Sequence, residues 1–531
     1  MKNIIPQNTP KSFNERRSNE RFISDSLTLT HIDSTAVNSS IVNINRTGLC
    51  IKNSPNKDIG KRLYLILQTY SNNIRLTGRL IWVDKNNNCG IDLSEYKDQV
   101  PAFWDGYIEG LQSISSRRRH NRRLEKGIIK TNKRKGERRN TKPILKKCFT
   151  NTTSKFLQNQ GNWFKEYATS GSPIVILGGK KTLSFSYCNY LGLNHSEKVK
   201  KAMIDSIIKD GAGISSSPVT GGTMLIHKKL ERSISAFMCC EDALLYPLGS
   251  LANYGVIPAI SGVNDYIILD ENSHASIVDA CILSKSHIVT YRHNDMDDLN
   301  RKLKKYSDNN KLIVSDGVFS MDGDFAKLDK IYELGVHYNT AIYIDDAHGV
   351  GVFGKTGGGI VEYYGLEGKI DFVMATFAKA FGIQGGFVVA KKEIIQYLRY
   401  TSRTSIFNVS LQPYMISGIL ESLELIRNGT DLRKKLWENI HLLKEELNTI
   451  GFDTLQSNSP IIPVMIRNSK KTQELCEYLR NNNIVTDAIF YPVVKKANSM
   501  LRVVLSAEHS QENIKDLVCF LEKGKKILQI I

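Results

Sequence analysis

One lysine stands out by the residues around it. Residues 374–387 read MATFAKAFGIQGGF, so Lys379 lies between two alanines in an apolar, glycine-rich stretch. Burial disfavours the charged form of an amine, so a lysine in this setting tends to lose its proton and can act as a nucleophile or base. The alternative is a lysine at the edge of a core helix whose ammonium group reaches solvent. This stretch alone leaves both interpretations open.

Polar side chains that could do chemistry follow several apolar, strand-like segments of the same region. The segment TAIYIDDAHGVGVFG runs from apolar residues directly into Asp345 and His348. Ligands of open α/β sheets bind at the carboxyl ends of the strands, so we expect such residues to converge. The corresponding residues after other segments are Asp270, His274, Asp316, Ser320 and Thr376.

Gly249 and Ser250 open an apolar helix in LLYPLGSLANYGV. The free N–H groups and the dipole at such a helix start favour a phosphate group. A phosphate site, an acid, an imidazole and an isolated lysine together fit pyridoxal phosphate. This cofactor needs a lysine for its Schiff base, an acid for its ring nitrogen and donors for its phosphate.

Six motifs, in chain order, carry a resemblance to a known family. They are NYLGL at 189–193, SHAS at 273–276, DGVFSMDGD at 316–324, DDAHGVGVFG at 345–354, TFAKAFG at 376–382 and LRVVLSAEH at 501–509. On these motifs, residues from about 155 to 531 resemble the α-oxoamine synthases, a branch of the fold-type I pyridoxal phosphate enzymes. The branch includes serine palmitoyltransferase, 8-amino-7-oxononanoate synthase, 5-aminolevulinate synthase and 2-amino-3-ketobutyrate CoA ligase.

The resemblance implies a role for each matching residue. Lys379 would hold the cofactor as a Schiff base and then remove the α-proton of the amino acid. Asp345 would pair with the ring nitrogen, His348 would hydrogen-bond the ring hydroxyl, and His274 would stack on the ring face. The implied phosphate contacts are those of Gly249, Ser250, Thr376 and, from a second subunit, Thr223. Ser320 would line the ring edge. Arg502 would bind the substrate carboxylate, and Asn189 is the other implied substrate contact.

The implied reaction is a decarboxylating condensation of an amino acid with an acyl thioester of CoA or of acyl carrier protein, which gives an α-amino ketone. Three positions depart from the family pattern: Pro218 stands where arginine is usual, Ala378 where serine is frequent, and Cys188 where several members have asparagine. The acyl chain and the amino acid (glycine, serine or alanine) therefore stay open. An aminotransferase or aldolase, or a catalytically dead regulator, is the alternative.

The N-terminal region carries a separate motif. Arg17 and Arg21 form an RxxxR pair, which suits bidentate binding of phosphates and guanine edges. With the segment NINRTG that begins at Asn43, this region resembles the PilZ domain, a small β-barrel that binds cyclic di-GMP. The resemblance implies nucleotide contacts from Arg16, Arg17, Arg21, Asn43, Asn45 and Gly48. Because Asn45 stands where serine is usual, a barrel that binds no nucleotide is the alternative.

The elements that must position these residues differ between two parts of the chain. Residues 1–114 hold short apolar segments separated by turn residues, which predict a small antiparallel β-barrel. In residues 151–531, helical stretches alternate with buried-strand candidates, which predicts an α/β fold with a mainly parallel sheet and a smaller C-terminal α+β subdomain from about residue 430. The resemblance adds a homodimer, since the family builds its sites across the subunit interface.

Residues 115–150 are predicted to link these parts. Within them, residues 115–147 hold fifteen Lys and Arg against two Glu and so account for most of the net charge of +19. Because most of the charge lies in this one segment and the rest of the chain is only mildly basic, nucleic-acid binding is not expected. A spacer and a contact with anionic lipid at the inner membrane face are the alternatives. The nine scattered cysteines contain no CxxC pair, which suggests free thiols, no metal site and a reducing cytoplasm.

Overall fold

The computed structural model describes the backbone of six N-terminal strands and residues 165–530, apart from residues 170 and 492. By its contacts the chain divides into two compact units, Met1–Cys148 and Phe149–Ile531. Within the described residues, no helix has both the length and the apolar character that crossing a membrane requires.

The six strands of the first unit pair antiparallel in the order β1-β2-β3-β6-β5-β4, and β1 also pairs with β4, which closes the ring. Each strand coincides with one of the alternating apolar segments of the sequence. Their bounds are β1 (Thr28–His31), β2 (Asn38–Asn45), β3 (Gly48–Lys52), β4 (Arg62–Gln68), β5 (Asn73–Val83) and β6 (Cys89–Asp92).

A seven-stranded sheet forms the centre of the second unit. Its strands are β9 (Asp242–Tyr246), β10 (Tyr266–Asp270), β11 (His287–Tyr291), β12 (Lys311–Asp316), β13 (Ala341–Asp345), β14 (Phe372–Thr376) and β15 (Gly386–Ala390). The order is β11-β10-β12-β13-β14-β15-β9, parallel from β11 to β14, with β15 antiparallel to both of its neighbours. The predicted α/β sheet core is therefore present, and each of its strands lies on one of the predicted apolar segments.

Helices cover both faces of this sheet. Successive residues of a strand point to opposite faces, so Ile313 packs in one apolar core and Val314 in the other. The helices of the second unit are α1 (Glu197–Asp210), α2 (Leu225–Phe237), α3 (Gly249–Ile260), α4 (Ala275–Ser284), α5 (Met296–Lys305), α6 (Leu328–His337), α7 (Ile360–Tyr363), α8 (Lys392–Thr401), α9 (Arg403–Ile406), α10 (Pro413–Asn428), α11 (Thr430–Thr449), α12 (Ser469–Asn481) and α13 (Gln511–Ile527).

Two three-stranded sheets complete the second unit. One, in the order β17-β8-β7, joins β7 (Ile174–Leu177) and β8 (Lys180–Ser184) to the distant β17 (Ile484–Val485). The other has the order β16-β19-β18. Its strands are β16 (Ile461–Met465), β18 (Asp487–Ile489) and β19 (Met500–Val504).

Candidate active site

The carboxyl ends of the parallel strands gather the predicted residues at one edge of the large sheet. β12 ends at Asp316 and β13 at Asp345, and these two aspartates are direct partners in the strand register. β10 ends at Asp270 and β14 at Thr376. Strand order therefore brings together residues that lie far apart in sequence.

Lys379 lies in a turn between β14 and β15, so the alternative of a lysine at a helix edge is wrong. The Gly382 N–H donates to the Lys379 carbonyl at 2.9 Å, and Gly382 has a φ of +73°, which L side chains rarely adopt. The Lys379 side chain is partly buried. Burial lowers the pKa of its amine, although the nearby carboxylates of Asp345 and Asp316 act in the opposite direction.

The Asp345 carboxylate is buried and held on both oxygens. Its Oδ2 accepts from Asn253 Nδ2 at 2.8 Å, and its Oδ1 accepts from the Ala347 N–H at 3.1 Å. The Tyr343 hydroxyl donates to Asn253 Oδ1 at 2.7 Å. The sequence prediction missed Asn253. The available signal was a lone amide side chain within the apolar helix α3.

Asp316 is a second buried carboxyl at this edge, which the sequence analysis placed at a strand end without assigning it a role in the site. Burial and the adjacent Asp345 hold the pKa of Asp316 well above its usual range. Its Oδ2 accepts the backbone N–H of His274 at 2.9 Å. Asp316 therefore fixes the start of α4, where His274 is the N-cap residue.

The surroundings of both site histidines favour the neutral imidazole over the charged form. Burial lowers the pKa of His274, whose Nδ1 accepts from the Ser276 N–H at 3.2 Å. Burial and the nearby Lys379 hold the pKa of His348 well below its usual range. The Nδ1 of His348 lies 2.5 Å from the hydroxyl of Tyr190, a fully buried residue that the sequence prediction also missed.

The N-terminus of α3 approaches β14 closely. A Cβ on Gly249 would lie 2.9 Å from the Cβ of Thr376, and a Cβ on Gly386 would lie 2.6 Å from the Cα of Gly249. Glycine is therefore required at both positions. No side chain among the described residues caps this helix. An uncapped helix start that includes Ser250 and adjoins a threonine hydroxyl suits a phosphate-sized anion.

Arg502 reaches this edge from β19 of the small sheet. Its guanidinium is buried, with 9% of the residue exposed. The Nε donates to the Ser320 carbonyl at 2.7 Å, and Nη2 lies 3.8 Å from the Cys188 sulfur. Ser320 therefore contributes its backbone carbonyl, which orients the guanidinium.

Asn189 and Thr223 make no hydrogen bond to this cluster within the described part of the chain. Asn189 Nδ2 donates to the Gly171 carbonyl at 2.9 Å and also contacts Asn194 Oδ1. Thr223 is exposed, and its Oγ1 donates to the Pro218 carbonyl of its own loop at 2.9 Å. Their predicted roles in substrate and phosphate binding stay predictions.

A charged cluster lies next to the site, at the end of β10. The two ring nitrogens of His293 are each 2.9 Å from a carboxylate oxygen, one of Asp270 and one of Asp324. Burial alone would lower the pKa of His293, but these carboxylates raise it to about 10. Potential ligand atoms of His293, Asp322 and Asp324 lie within 4.8 Å of one another, a spacing that a metal ion could bridge. Because both ring nitrogens are already hydrogen-bonded, the cluster acts as an ion-pair network between β10 and the loop after β12.

The predicted nucleotide residues are only partly within the described chain. Arg16, Arg17 and Arg21 lie outside the described residues. Asn43 and Asn45 belong to β2, and Asn45 pairs directly with Gly48, the first residue of β3. The strand pairing thus places Asn45 opposite Gly48 and Asn43 opposite Cys50. The predicted contacts of Asn43, Asn45 and Gly48 with nucleotide stay predictions.

Two family models match this chain. Residues 180–521 match aminotransferase class I and II, and residues 15–99 match the PilZ domain. The 8-amino-7-oxononanoate synthase of Thermoanaerobacter pseudethanolicus is 39% identical over 361 residues, which are 68% of this chain and 91% of that protein. The enzyme of the same name from Thermosipho melanesiensis is 38% identical over 374 residues, 70% of this chain and 95% of that protein.

Solved structures of another enzyme are similar to the second unit. The serine palmitoyltransferase of Sphingomonas wittichii superposes with a TM-score of 0.70 at 30% identity, covering 73% of this chain and 99% of that one. The S. paucimobilis serine palmitoyltransferase, solved with pyridoxal phosphate and myriocin bound, has a TM-score of 0.71 at 29% identity, covering 73% of this chain and 100% of that one.

Proposed function

We propose that this chain, which belongs to the class I and II aminotransferase family and is a pyridoxal phosphate-dependent C-acyltransferase, joins an amino acid to an acyl thioester. The reaction is a decarboxylative condensation that releases an α-amino ketone. One observation supports this most directly. Lys379, Asp345, His274 and Arg502 come from four separate segments, and all four lie at one edge of the large sheet.

The described residues fit pyridoxal phosphate. The start of α3 at Gly249 and Ser250 has no side-chain cap and lies close to Thr376, so its backbone N–H groups suit a phosphate. The buried Asp345 carboxylate suits a protonated ring nitrogen, and the amine of Lys379, whose pKa is lowered by burial, suits a carbonyl group. When bound, the cofactor supplies an electron sink for the negative charge that develops on the α-carbon of the substrate.

Side chains of the candidate site would bind the cofactor, orient it and transfer the proton. Lys379 would hold the cofactor and accept the α-proton at its Nζ, because burial lowers the pKa of its amine and favours the neutral form. The negative charge of Asp345 would keep a proton on the ring nitrogen. His274 would lie against the ring face, and His348, oriented by Tyr190, would bind the ring hydroxyl.

Arg502 binds the carboxylate of the amino acid in this proposal. We expect Arg502→Lys to raise the KM for the amino acid roughly 10- to 100-fold, since a lysine cannot form the bidentate pair and a charged hydrogen bond contributes about 1.5–3 kcal/mol. Steady-state kinetics at saturating thioester would measure this change. Arg467→Lys, at an exposed arginine that pairs with Asp453, is the matched control and should leave KM unchanged. An unchanged KM in Arg502→Lys would contradict the assignment.

The substrates define the main test of the function. The purified full chain would be given glycine, serine or alanine with a panel of acyl-CoA and acyl carrier protein thioesters, and release of free thiol and CO2 would be measured. A decarboxylating condensation releases both products, whereas an aminotransferase releases neither. Release of neither product with any pair, together with keto-acid formation, would favour the aminotransferase alternative.

We further propose a homodimer. Thr223 lines a surface depression together with exposed apolar side chains, of which Val219 is 60% and Val409 is 48% exposed. Burying such side chains against a second copy is favourable, because exposed apolar patches of this kind are typical of protein interfaces. In this arrangement Thr223 of one subunit reaches the phosphate bound by the other. Sedimentation equilibrium of the full chain would measure the oligomeric state.

Residues 15–99 match the PilZ domain, and we propose that they form a small barrel that binds cyclic di-GMP and alters the activity of the synthase. Residues 115–150 are the proposed linker between residues 1–114 and 151–531. Regulation requires that the nucleotide bind two states of the protein with different affinity. The RxxxR pair and the Asn45–Gly48 pairing support the proposal.

Arg17→Ala should weaken cyclic di-GMP binding by roughly 10- to 100-fold, because a lost charged hydrogen bond costs about 1.5–3 kcal/mol. Calorimetry of the full chain with the nucleotide measures this effect. Arg75→Ala, on β5 and outside the motif, is the control. Absence of heat in the unaltered chain, with condensation unchanged by the nucleotide, would favour a barrel without nucleotide binding.

A further inference from the structure

Asn253 is completely buried in α3 and uses its whole amide within the candidate active site. Its Nδ2 donates to Asp345 Oδ2 at 2.8 Å and to Ser276 Oγ at 2.9 Å. Its Oδ1 accepts from the Tyr343 hydroxyl at 2.7 Å. Ser276 Oγ in turn lies 2.8 Å from His274 Nδ1. The amide thus connects the residue assigned to the ring nitrogen with the residue assigned to the ring face.

These hydrogen bonds determine the orientation of each group. A carboxylate only accepts hydrogen bonds, so Asp345 requires the Nδ2 side of Asn253. The second Nδ2 proton goes to Ser276 Oγ, which leaves the serine's own proton for His274 Nδ1. The Ser276 backbone N–H points at the same nitrogen from 3.2 Å. Nδ1 is therefore an acceptor, and the imidazole is neutral with its proton on Nε2.

We propose that Asn253 is a positioning residue that holds the Asp345 carboxylate and fixes His274 as the neutral Nε2–H tautomer; this inference rests on the proposed pyridoxal phosphate chemistry. A neutral imidazole can lie against a protonated pyridine ring without charge repulsion, whereas an imidazolium cannot. Asn253 acts through its two neighbours, and its loss changes both at once. The burial that lowers the pKa of His274 agrees with this arrangement.

The first test compares Asn253→Leu with Asn439→Leu in the full chain. Asn439, in α11, is also buried, and its amide donates to the carbonyls of Ser506 and His509 in the loop after β19 rather than to a residue of the candidate active site. We expect Asn253→Leu to weaken pyridoxal 5′-phosphate binding roughly ten- to hundredfold, because it leaves buried polar groups unpaired. Asn439→Leu should retain the affinity. Absorbance titration of the apoprotein with pyridoxal 5′-phosphate measures both.

The second readout is the ring of His274 itself. In protein labelled with 15N-histidine, with the His274→Gln spectrum used for assignment, the unaltered chain should show Nδ1 unprotonated and Nε2 protonated. Ser276→Ala removes the hydroxyl that donates to Nδ1, and Asn253→Leu removes the amide that orients this hydroxyl. Both variants should therefore change this pattern. A purely structural role would leave the tautomer as it is. If Asn253→Leu does not fold, Ser276→Ala and Tyr343→Phe provide the same comparison.

A third variant, Asn253→Asp, predicts a pH dependence. The new carboxyl would face Asp345 directly, in a site that also contains Asp316, His274, Lys379 and the Tyr343 hydroxyl. Two adjacent carboxyls share one proton, so the pKa of the introduced acid is raised. Below that pKa its proton is donated to Asp345, and above it the two charges repel. Affinity for pyridoxal 5′-phosphate should therefore fall as pH rises in this variant only.

The proposal is overturned if Asn253→Leu keeps the tautomer and the affinity of the unaltered chain, or if Asn439→Leu loses affinity equally. Both readouts are obtained without an acyl thioester. If the chain binds pyridoxal 5′-phosphate but never condenses an amino acid with a thioester, the proposed function fails and the role of Asn253 is still decided.

Discussion

Lys379→Ala should reduce condensation by at least ~10³-fold, since the loss of a general base alone costs about 10²–10⁴-fold and the covalent attachment point is lost as well. Alanine has no amine to bind the cofactor or accept the α-proton. The lowered pKa of Lys379 has a second consequence. Its unprotonated fraction at neutral pH exceeds that of an ordinary lysine, so attachment of the cofactor should persist to lower pH than it does at a solvent-exposed lysine.

Borohydride treatment followed by mass spectrometry measures this attachment directly. The unaltered chain should gain one reduced pyridoxal phosphate at Lys379, and Lys379→Ala should gain none at this site. Lys444→Ala is the matched control, because burial also lowers the pKa of Lys444, whose amine donates to the Ser457 carbonyl in another part of the unit. Full condensation by Lys379→Ala, or equal loss in Lys444→Ala, would refute the assignment.

Asp345→Asn and Asp316→Asn should differ sharply although the two residues are neighbours in the sheet. Asp345→Asn removes the negative charge that keeps a proton on the ring nitrogen, and lost electrostatic stabilisation of this kind costs about 10²–10³-fold in turnover. Asp316 already has a raised pKa because it is buried beside Asp345. An amide at position 316 can still accept the His274 N–H, so its turnover should stay within about tenfold.

The pH dependence of stability distinguishes the two positions independently of turnover. A carboxyl whose pKa is raised by folding binds more protons in the native state, so its contribution to stability falls as pH rises above the ordinary aspartate pKa. Asp316→Asn should remove that fall. Urea unfolding of the apoprotein at a series of pH values measures it. Equal losses of turnover in both variants would show that Asp316 carries a required negative charge.

Local sequence patterns were sufficient for the family, the cofactor and the enzyme class, all of which the comparisons confirm. The residues of each motif are neighbours in the chain, and so are the apolar residues of each strand of the α/β core. The nearby residues singled out Lys379, because an isolated lysine in an apolar stretch is unusual, but they left its role open. A turn and a helix edge could not be distinguished, since glycine-rich sequence is compatible with both.

The contacts between motifs depended on the tertiary structure. Asn253 and Asp345 are separated by 92 residues, Tyr190 and His348 by 158, and Arg502 and Ser320 by 182. Strand order decides which strand ends become neighbours, and no local pattern encodes it. Asp316 and Asp345 meet only because β12 and β13 are adjacent.

The sequence alone therefore determined which chemical groups this protein has and the class of reaction that they support. The tertiary structure decided the protonation and orientation of those groups. Burial lowers the pKa of Lys379 and His274 and raises that of Asp316. These shifts depend on the exclusion of water and on charges that arrive from distant segments, which only the folded chain provides.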